Sequence, residues 1–237
     1  MRRLIENRSK VLIGGHRGCT CEYFENTIQA MKEGIRRGAD YLEIDLQLTK
    51  DGEILVYHDT ELSHKCALSG YVHQHTLEEI QKLLPVNTLK EVFSWAMRGG
   101  VNLALELKSV PLDMQPVGMR LVEQLAALTE EYHMRDQVFA FGADYQVLRH
   151  LKEVDRDYPI GLIVPFVPAD PVALMRELDA MVYLSYIYNM TPEIIDALHA
   201  AGYFVDGAIL RDERWKRRAR ELGVDMFESD TPELEHP

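Results

Sequence analysis

The sequence predicts an α/β fold, a single (β/α)8 (TIM) barrel, on three observations. Eight short apolar runs recur along the 237 residues, and most are followed by a longer amphipathic segment. Several of those segments open on a cap-like residue or an early proline, as in Asp170-Pro171 and Thr191-Pro192. No low-complexity or linker-like stretch divides the chain, so the repeats fall into one domain over 1–237.

In chain order, strands are expected to begin near Val11, Tyr41, Val101, Gln137, Ile160, Met181, Tyr203 and Asp225. Helices are expected over 26–37, 89–97, 116–132, 144–154, 171–178, 192–200 and 213–222. An extra strand, 54–57, folds back on strand two through the Lys50-Asp51-Gly52 turn. The piece from about 60 to 88 breaks the rhythm and reads as a short insertion after strand two, a loop with one helix over 76–84.

A formal charge of −12 argues against nucleic acid or an anionic membrane as partner, because a phosphate backbone is bound by clustered Lys and Arg. The basic spots Arg36-Arg37 and Lys216-Arg217-Arg218 fall in helical segments and read as solvated faces. The N-terminal ten residues are charged and only five apolar residues follow, so neither a signal peptide nor a membrane span is expected. Three cysteines, Cys19, Cys21 and Cys66, fit a reducing cytoplasm. Cys19 and Cys21 lack a zinc-ligand partner, and His64, His73 and His75 in the insertion read as loop packing.

On this fold the C-terminal ends of the strands carry the chemistry. The stretch "YLEIDLQLTKDG" puts Glu43 and Asp45 at i and i+2, on one side of strand two. Glu106 in "NLALELK" faces them from strand three. Three converging carboxylates repel unless a cation lies between them, and hard oxygen ligands suit Mg²⁺ or Ca²⁺. Removing one charge, as in Asp45→Asn, is expected to relieve that repulsion without metal. Arg17 and Lys108 add fixed positive charge that favours an anionic substrate such as a phosphate. His16 and His58 arrive from different segments as candidate general acid and base. Tyr188 and Asn189, after strand six, are candidates for substrate contact.

These residues resemble the glycerophosphodiester phosphodiesterase family. The resemblance runs through His16-Arg17-Gly18, Glu25-Asn26-Thr27, Gly38 to Asp40, Glu43 to Asp45, Thr49 to Gly52, His58-Asp59, Glu106 to Lys108, Gly223-Val224-Asp225 and Asp230-Thr231-Pro232. Each motif alone is weak, whereas their order and spacing across nearly the whole chain are specific. The resemblance implies a (β/α)8 barrel, a divalent cation, and hydrolysis of small-molecule glycerophosphodiesters to glycerol 3-phosphate and an alcohol. It makes Glu43, Asp45 and Glu106 the metal ligands, His16 and His58 the catalytic pair, and Arg17 and Lys108 the phosphate-holding cations. Two alternatives stand beside it: a phospholipase D-like lyase that releases a cyclic phosphate, and a barrel that binds a phosphodiester without turnover. The chain departs from the family pattern on strand seven, where a Trp-Thr-Val-Asn segment gives way to "YFVDGAILRDE", with Ala208 where the Trp falls. It departs again after His58-Asp59, where "ELSHKCALS" replaces a Thr- and Gly-rich segment.

Overall fold

The computed structural model describes residues 1–111, 114–208, 210 and 212–232. Its centre is a closed ring of eight parallel strands: β1 (Leu12–His16), β2 (Tyr41–Leu48), β5 (Leu103–Leu107), β6 (Val138–Gly142), β7 (Ile160–Ile163), β8 (Val182–Tyr186), β9 (Phe204–Ala208) and β10 (Met226–Ser229). Neighbours run β1-β10-β9-β8-β7-β6-β5-β2, and a β1–β2 pairing closes the circle. Two short strands extend β2 outward in antiparallel fashion, β3 (Ile54–Val56) and then β4 (Asn87–Thr88). Around the ring lie α2 (Ile28–Arg36), α4 (Leu89–Gly99), α5 (Gln115–Glu131), α6 (Tyr145–Val154), α7 (Pro171–Glu177), α8 (Pro192–Ala200) and α9 (Glu213–Leu222). Two more helices, α1 (Arg2–Glu6) and α3 (Leu77–Gln81), lie before the first strand and in the insertion.

Strand parity divides every strand between two environments. Ile13, Leu42, Ile44, Leu103, Leu105, Val138, Ile160, Leu162, Val205 and Phe227 point outward and form one core with the helices. The alternate positions point into the ring, where Leu12, Tyr41, Ala104, Phe139, Phe141, Val182 and Met226 fill its lower part. Fully burying a side chain of this size contributes about 1.5–3 kcal/mol, and both sets are almost wholly excluded from solvent. Tyr41 fits inside because Gly14 stands opposite: a Cβ there would lie 2.4 Å from the tyrosine ring. Met1 and Ile5 of the α1 segment join this inner cluster and plug the ring from below. The polar inner positions are thereby left to its upper, C-terminal end.

The caps follow the sequence signals. Asp170 accepts from the Ala173 amide at 2.8 Å and Thr191 from the Ile194 amide at 3.4 Å, each ahead of a proline at the first helical position. Three expectations need correction. The helix expected from residue 26 begins at Ile28, because Thr27 is its N-cap and Asn26 has a positive φ of 62°. The insertion holds more order than one helix in a loop: two 3-10 turns, Leu62–His64 and Val72–Gln74, the helix α3 and the strand β4, over their own apolar cluster. The basic spots are not simply solvated, for Lys216 is 1% exposed beside Glu213, and Arg37 is tied to Glu33 and Glu22. Among the described residues no helix is long and apolar enough to cross a membrane.

Candidate active site

The site is built from inward positions at the upper ends of β1, β2 and β5. Register sets the neighbours: Asp45 is paired with Glu106 across β2–β5, and Glu43 with His16 across β1–β2. All three acids offer ligand oxygens within 4.8 Å of one another. The amide of Tyr57 donates to the Asp45 carbonyl at 3.0 Å, extending the β2–β3 pairing and bringing His58 beyond Asp45 to the mouth. Lys108, one residue past β5, donates from Nζ to Glu106 Oε1 at 2.6 Å and stands 3.4 Å from Asp45 Oδ1.

The chain turns sharply after β1. Arg17 has φ 53° and Gly18 φ 89°, and a Cβ on Gly18 would lie 2.5 Å from the Ala30 carbonyl carbon. This turn points the Arg17 amide at Glu43 Oε2, 2.9 Å away, while its guanidinium bonds Glu25 at 3.0 Å and lies 3.5 Å from Asp45. Asn26 secures Asp45 twice, donating from Nδ2 to Oδ2 at 2.7 Å and accepting the Asp45 amide on Oδ1 at 3.1 Å. Assigning Asn26 to the helix hid this role. The local signal was Thr27, a good N-cap that leaves the preceding residue free to turn inward.

The five charges are unequal. Burial, then Asp45, Glu228 and Glu106, push the Glu43 carboxyl well above its ordinary range. Burial alone would also raise Asp45, but Lys108 and then Arg17 outweigh it and hold this carboxyl low. Glu106 is raised by burial and by Asp45. Burial opposes the charged form of Lys108, yet Glu106 and Asp45 win and raise its pKa. Of the three acids Glu43 is the one pushed furthest toward its neutral form, and Asp45→Asn would remove the partner of both cations rather than only relieve repulsion.

Each histidine has one ring nitrogen against a carboxylate, His16 Nδ1 on Asp230 Oδ1 at 2.6 Å and His58 Nδ1 on Asp59 Oδ1 at 2.7 Å. Lys65 of the insertion pairs with Glu25 and lies 3.7 Å from Asp59. Asp59 would be raised by burial, but the His58 bond and Lys65 bring it below its ordinary value. Sequence reasoning singled out Glu25, Asn26, Asp59 and Asp230 as motif members without giving them roles. Tyr188 stands apart from the acids. It is stacked on Tyr186 at 5.1 Å, past the end of β8, four strands from β2 in either direction around the ring. The side chain of Ala208 lies outside the described residues.

The acids fit a hard divalent cation by a test internal to the molecule. Glu43 Oε1 and Asp45 Oδ1 are buried without a hydrogen-bond partner, a costly state for a carboxylate oxygen unless a cation supplies the missing contact. All three groups are oxygen donors, with no thiolate or imidazole among them.

One prediction follows from the sign of the Glu43 shift. A carboxyl raised on folding keeps a proton that the unfolded chain releases above its ordinary value of 4.5, so its contribution is lost as pH rises through the folded pKa. In chelator, the melting temperature is expected to fall between pH 5 and 8, with a slope of at most about 1.4 kcal/mol per pH unit from each such group. Glu43→Gln should flatten this fall in part. Some slope survives in the variant, because burial pushes Asp206 up to about 8 and raises Glu228 as well. Asp45 and Asp59 titrate below their ordinary 3.8, outside this window. Thermal melts at four pH values would show it, and an unchanged slope in the variant would refute the assignment.

A TIM barrel with an oxygen-ligand centre, two cations and two carboxylate-backed histidines at its mouth has the outline of a phosphoric diester hydrolase. Residues 16–234 match the glycerophosphoryl diester phosphodiesterase family, and the chain belongs to it. A glycerophosphodiester phosphodiesterase of Caldanaerobacter subterraneus subsp. tengcongensis is 29% identical, covering 94% of this chain and 96% of that protein. A human lysophospholipase D is 25% identical over 92% of this chain and 82% of its own length. An Oleispira antarctica phosphodiesterase, solved with the product sn-glycerol-3-phosphate, has the same fold at a TM-score of 0.86 and 22% identity, covering 94% of each chain.

Proposed function

We propose that this chain hydrolyses glycerophosphodiesters to glycerol 3-phosphate and an alcohol, with Mg²⁺ or Ca²⁺ held by Glu43, Asp45 and Glu106. The observation that carries the reading is the pair of buried carboxylate oxygens that accept no hydrogen bond, flanked by Arg17, Lys108 and two histidine–aspartate pairs. When bound, the cation supplies charge that polarises a phosphoryl oxygen and balances the negative charge of the transition state.

Arg17 and Lys108 hold the non-bridging phosphate oxygens; each is anchored on acids of the site, so neither has to be ordered by the substrate. His16, 5% exposed, is the general base: its free nitrogen removes the proton from the attacking hydroxyl. His58, on the more open β3 side, is the general acid: as the phosphorus–oxygen bond to the alcohol breaks, it delivers a proton to the departing oxygen. The attacking hydroxyl is that of water, or the substrate's own neighbouring hydroxyl in a first step that gives a cyclic phosphate. The three unbridged cysteines support placing the reaction in the cytoplasm.

A second substrate class, single-chain acylated glycerophosphodiesters, is favoured by an apolar rim across the mouth. Phe166, Val167, Tyr186 and Tyr188 are all exposed, and Asn189 ties the two loops by donating to the Pro165 carbonyl at 3.1 Å. Tyr188 also meets Trp215 edge to face at 6.4 Å. The name of the human relative points to the same class.

Incubation of glycerophosphocholine, glycerophosphoethanolamine and a lysophosphatidylcholine with Mg²⁺ or Ca²⁺, followed by ³¹P NMR, tests both classes. Glycerol 3-phosphate, or its acylated form from the lysolipid, is the expected end product. A cyclic phosphate as end point would favour a lyase. No turnover of any of the three would leave a phosphodiester-binding barrel.

A further inference from the structure

We propose that Asp230 is the positioning residue of His16: it accepts the Nδ1–H of the imidazole and so fixes the tautomer whose lone pair lies on Nε2. The proposal rests on the reading of His16 as an acid–base group given above.

It begins with register. Gly14 pairs with Glu228 and Gly15 with Ser229 across β1–β10, so the next residues of the two strands, His16 and Asp230, meet side by side. Asp230 also continues the inward parity of Met226 and Glu228. The chain is turned just beyond it by the Thr231 amide, which donates to Ser229 Oγ at 3.1 Å. The resulting contact is 2.6 Å long and joins residues 214 positions apart.

The other ring nitrogen makes the consequence chemical. His16 Nε2 faces Glu43 Oε2 at 3.9 Å from the strand on its opposite side. A neutral imidazole has one N–H and one lone pair, and the carboxylate that takes the N–H decides which nitrogen is left to act as base. At 2.6 Å against 3.9 Å, Asp230 takes it. Without Asp230 the N–H can move to Nε2, on the Glu43 side, which leaves the lone pair on Nδ1, turned toward β10 and away from the acids. The motif Asp230-Thr231-Pro232 thereby acquires a role at the reacting end of the molecule, although it lies as far along the chain from His16 as β10 is from β1. His58 differs in that its aspartate is its sequence neighbour and shares its charge with Lys65.

The experiment has two arms. In ¹⁵N-histidine-labelled protein with Mg²⁺, at a pH where imidazoles are neutral, His16 is expected to show a protonated Nδ1 and an unprotonated Nε2, and Asp230→Ala to lose that pattern. This arm needs no turnover, so it decides the proposal even if the hydrolase reading fails. A wild-type Nε2–H tautomer would overturn it whether or not the variant folds. In the kinetic arm, Asp230→Ala should lower kcat on glycerophosphocholine about 10- to 100-fold with KM changed less than about threefold. In the His16→Ala background the same substitution should add nearly nothing, because the group it positions is gone. Losses that multiply in the double variant would assign Asp230 a structural role only. Absence of wild-type turnover on every diester would sink the hydrolase reading and leave the tautomer to decide this one.

Discussion

His58→Ala is expected to slow hydrolysis of glycerophosphocholine by about 10²–10⁴, the usual worth of a general acid, yet to retain much of the wild-type rate on bis(p-nitrophenyl) phosphate. The difference lies in the leaving group. A choline alkoxide is strongly basic and departs poorly without a proton, whereas p-nitrophenolate is stable as an anion and needs none. His16→Ala, which removes the proposed base, should be severe on both substrates, because the attacking hydroxyl must lose its proton whichever group departs. Steady-state rates for two variants on two diesters suffice. Equal losses in all four combinations would defeat the division of labour and assign both rings to holding phosphate. The structure supplies an asymmetry in line with the assignment: His16 is enclosed between Asp230, just past β10, and Glu43 of β2, while His58 sits at the edge of the insertion, its side chain 30% exposed.

Exhaustive chelation is expected to abolish turnover, and Mg²⁺ or Ca²⁺ to restore it, because Glu43 and Asp45 each present a buried oxygen that accepts no hydrogen bond. Activity that survives chelation would remove the cation from the mechanism. Asp45→Asn and Glu43→Gln should both lose metal-dependent activity but differ in stability without metal. Asp45 is the counter-charge of Lys108 and Arg17 and accepts from Asn26, so its neutralisation leaves two half-buried cations poorly matched and should lower the melting temperature. Glu43 carries the repulsion, so Glu43→Gln should leave the metal-free chain at least as stable as wild type near pH 8. The reverse order of stabilities would overturn this partition of charge.

What the sequence disclosed follows from which signals are local. All eight barrel strands begin within two residues of their expected starts, because each is an apolar run bounded by turns, and β3 folds back through its Lys-Asp-Gly turn as expected. The acids were legible for the same reason: i and i+2 on one strand is a periodicity. Asn26 was misplaced because a positive φ leaves no mark in a periodicity that continues into α2. The supporting carboxylates were harder still. Asp230 reaches His16 only through a register that closes the ring, and Lys65 reaches Glu25 only through the fold of an insertion with no repeat to read. The inequality of Glu43 and Asp45 is also invisible in the motif, since it depends on which cation each one faces.

The pairing of β1 with β10 has a kinetic side. Contacts between residues so far apart in the chain are slow to form, because the search grows with the length of loop that must close. The acids on β2 and β5 belong to neighbouring strands and are joined by a much shorter loop. His16 acquires its partner only when the last strand docks against the first. In a refolding experiment, helical signal is therefore expected to return before hydrolytic activity, which waits on the docking of β10 against β1.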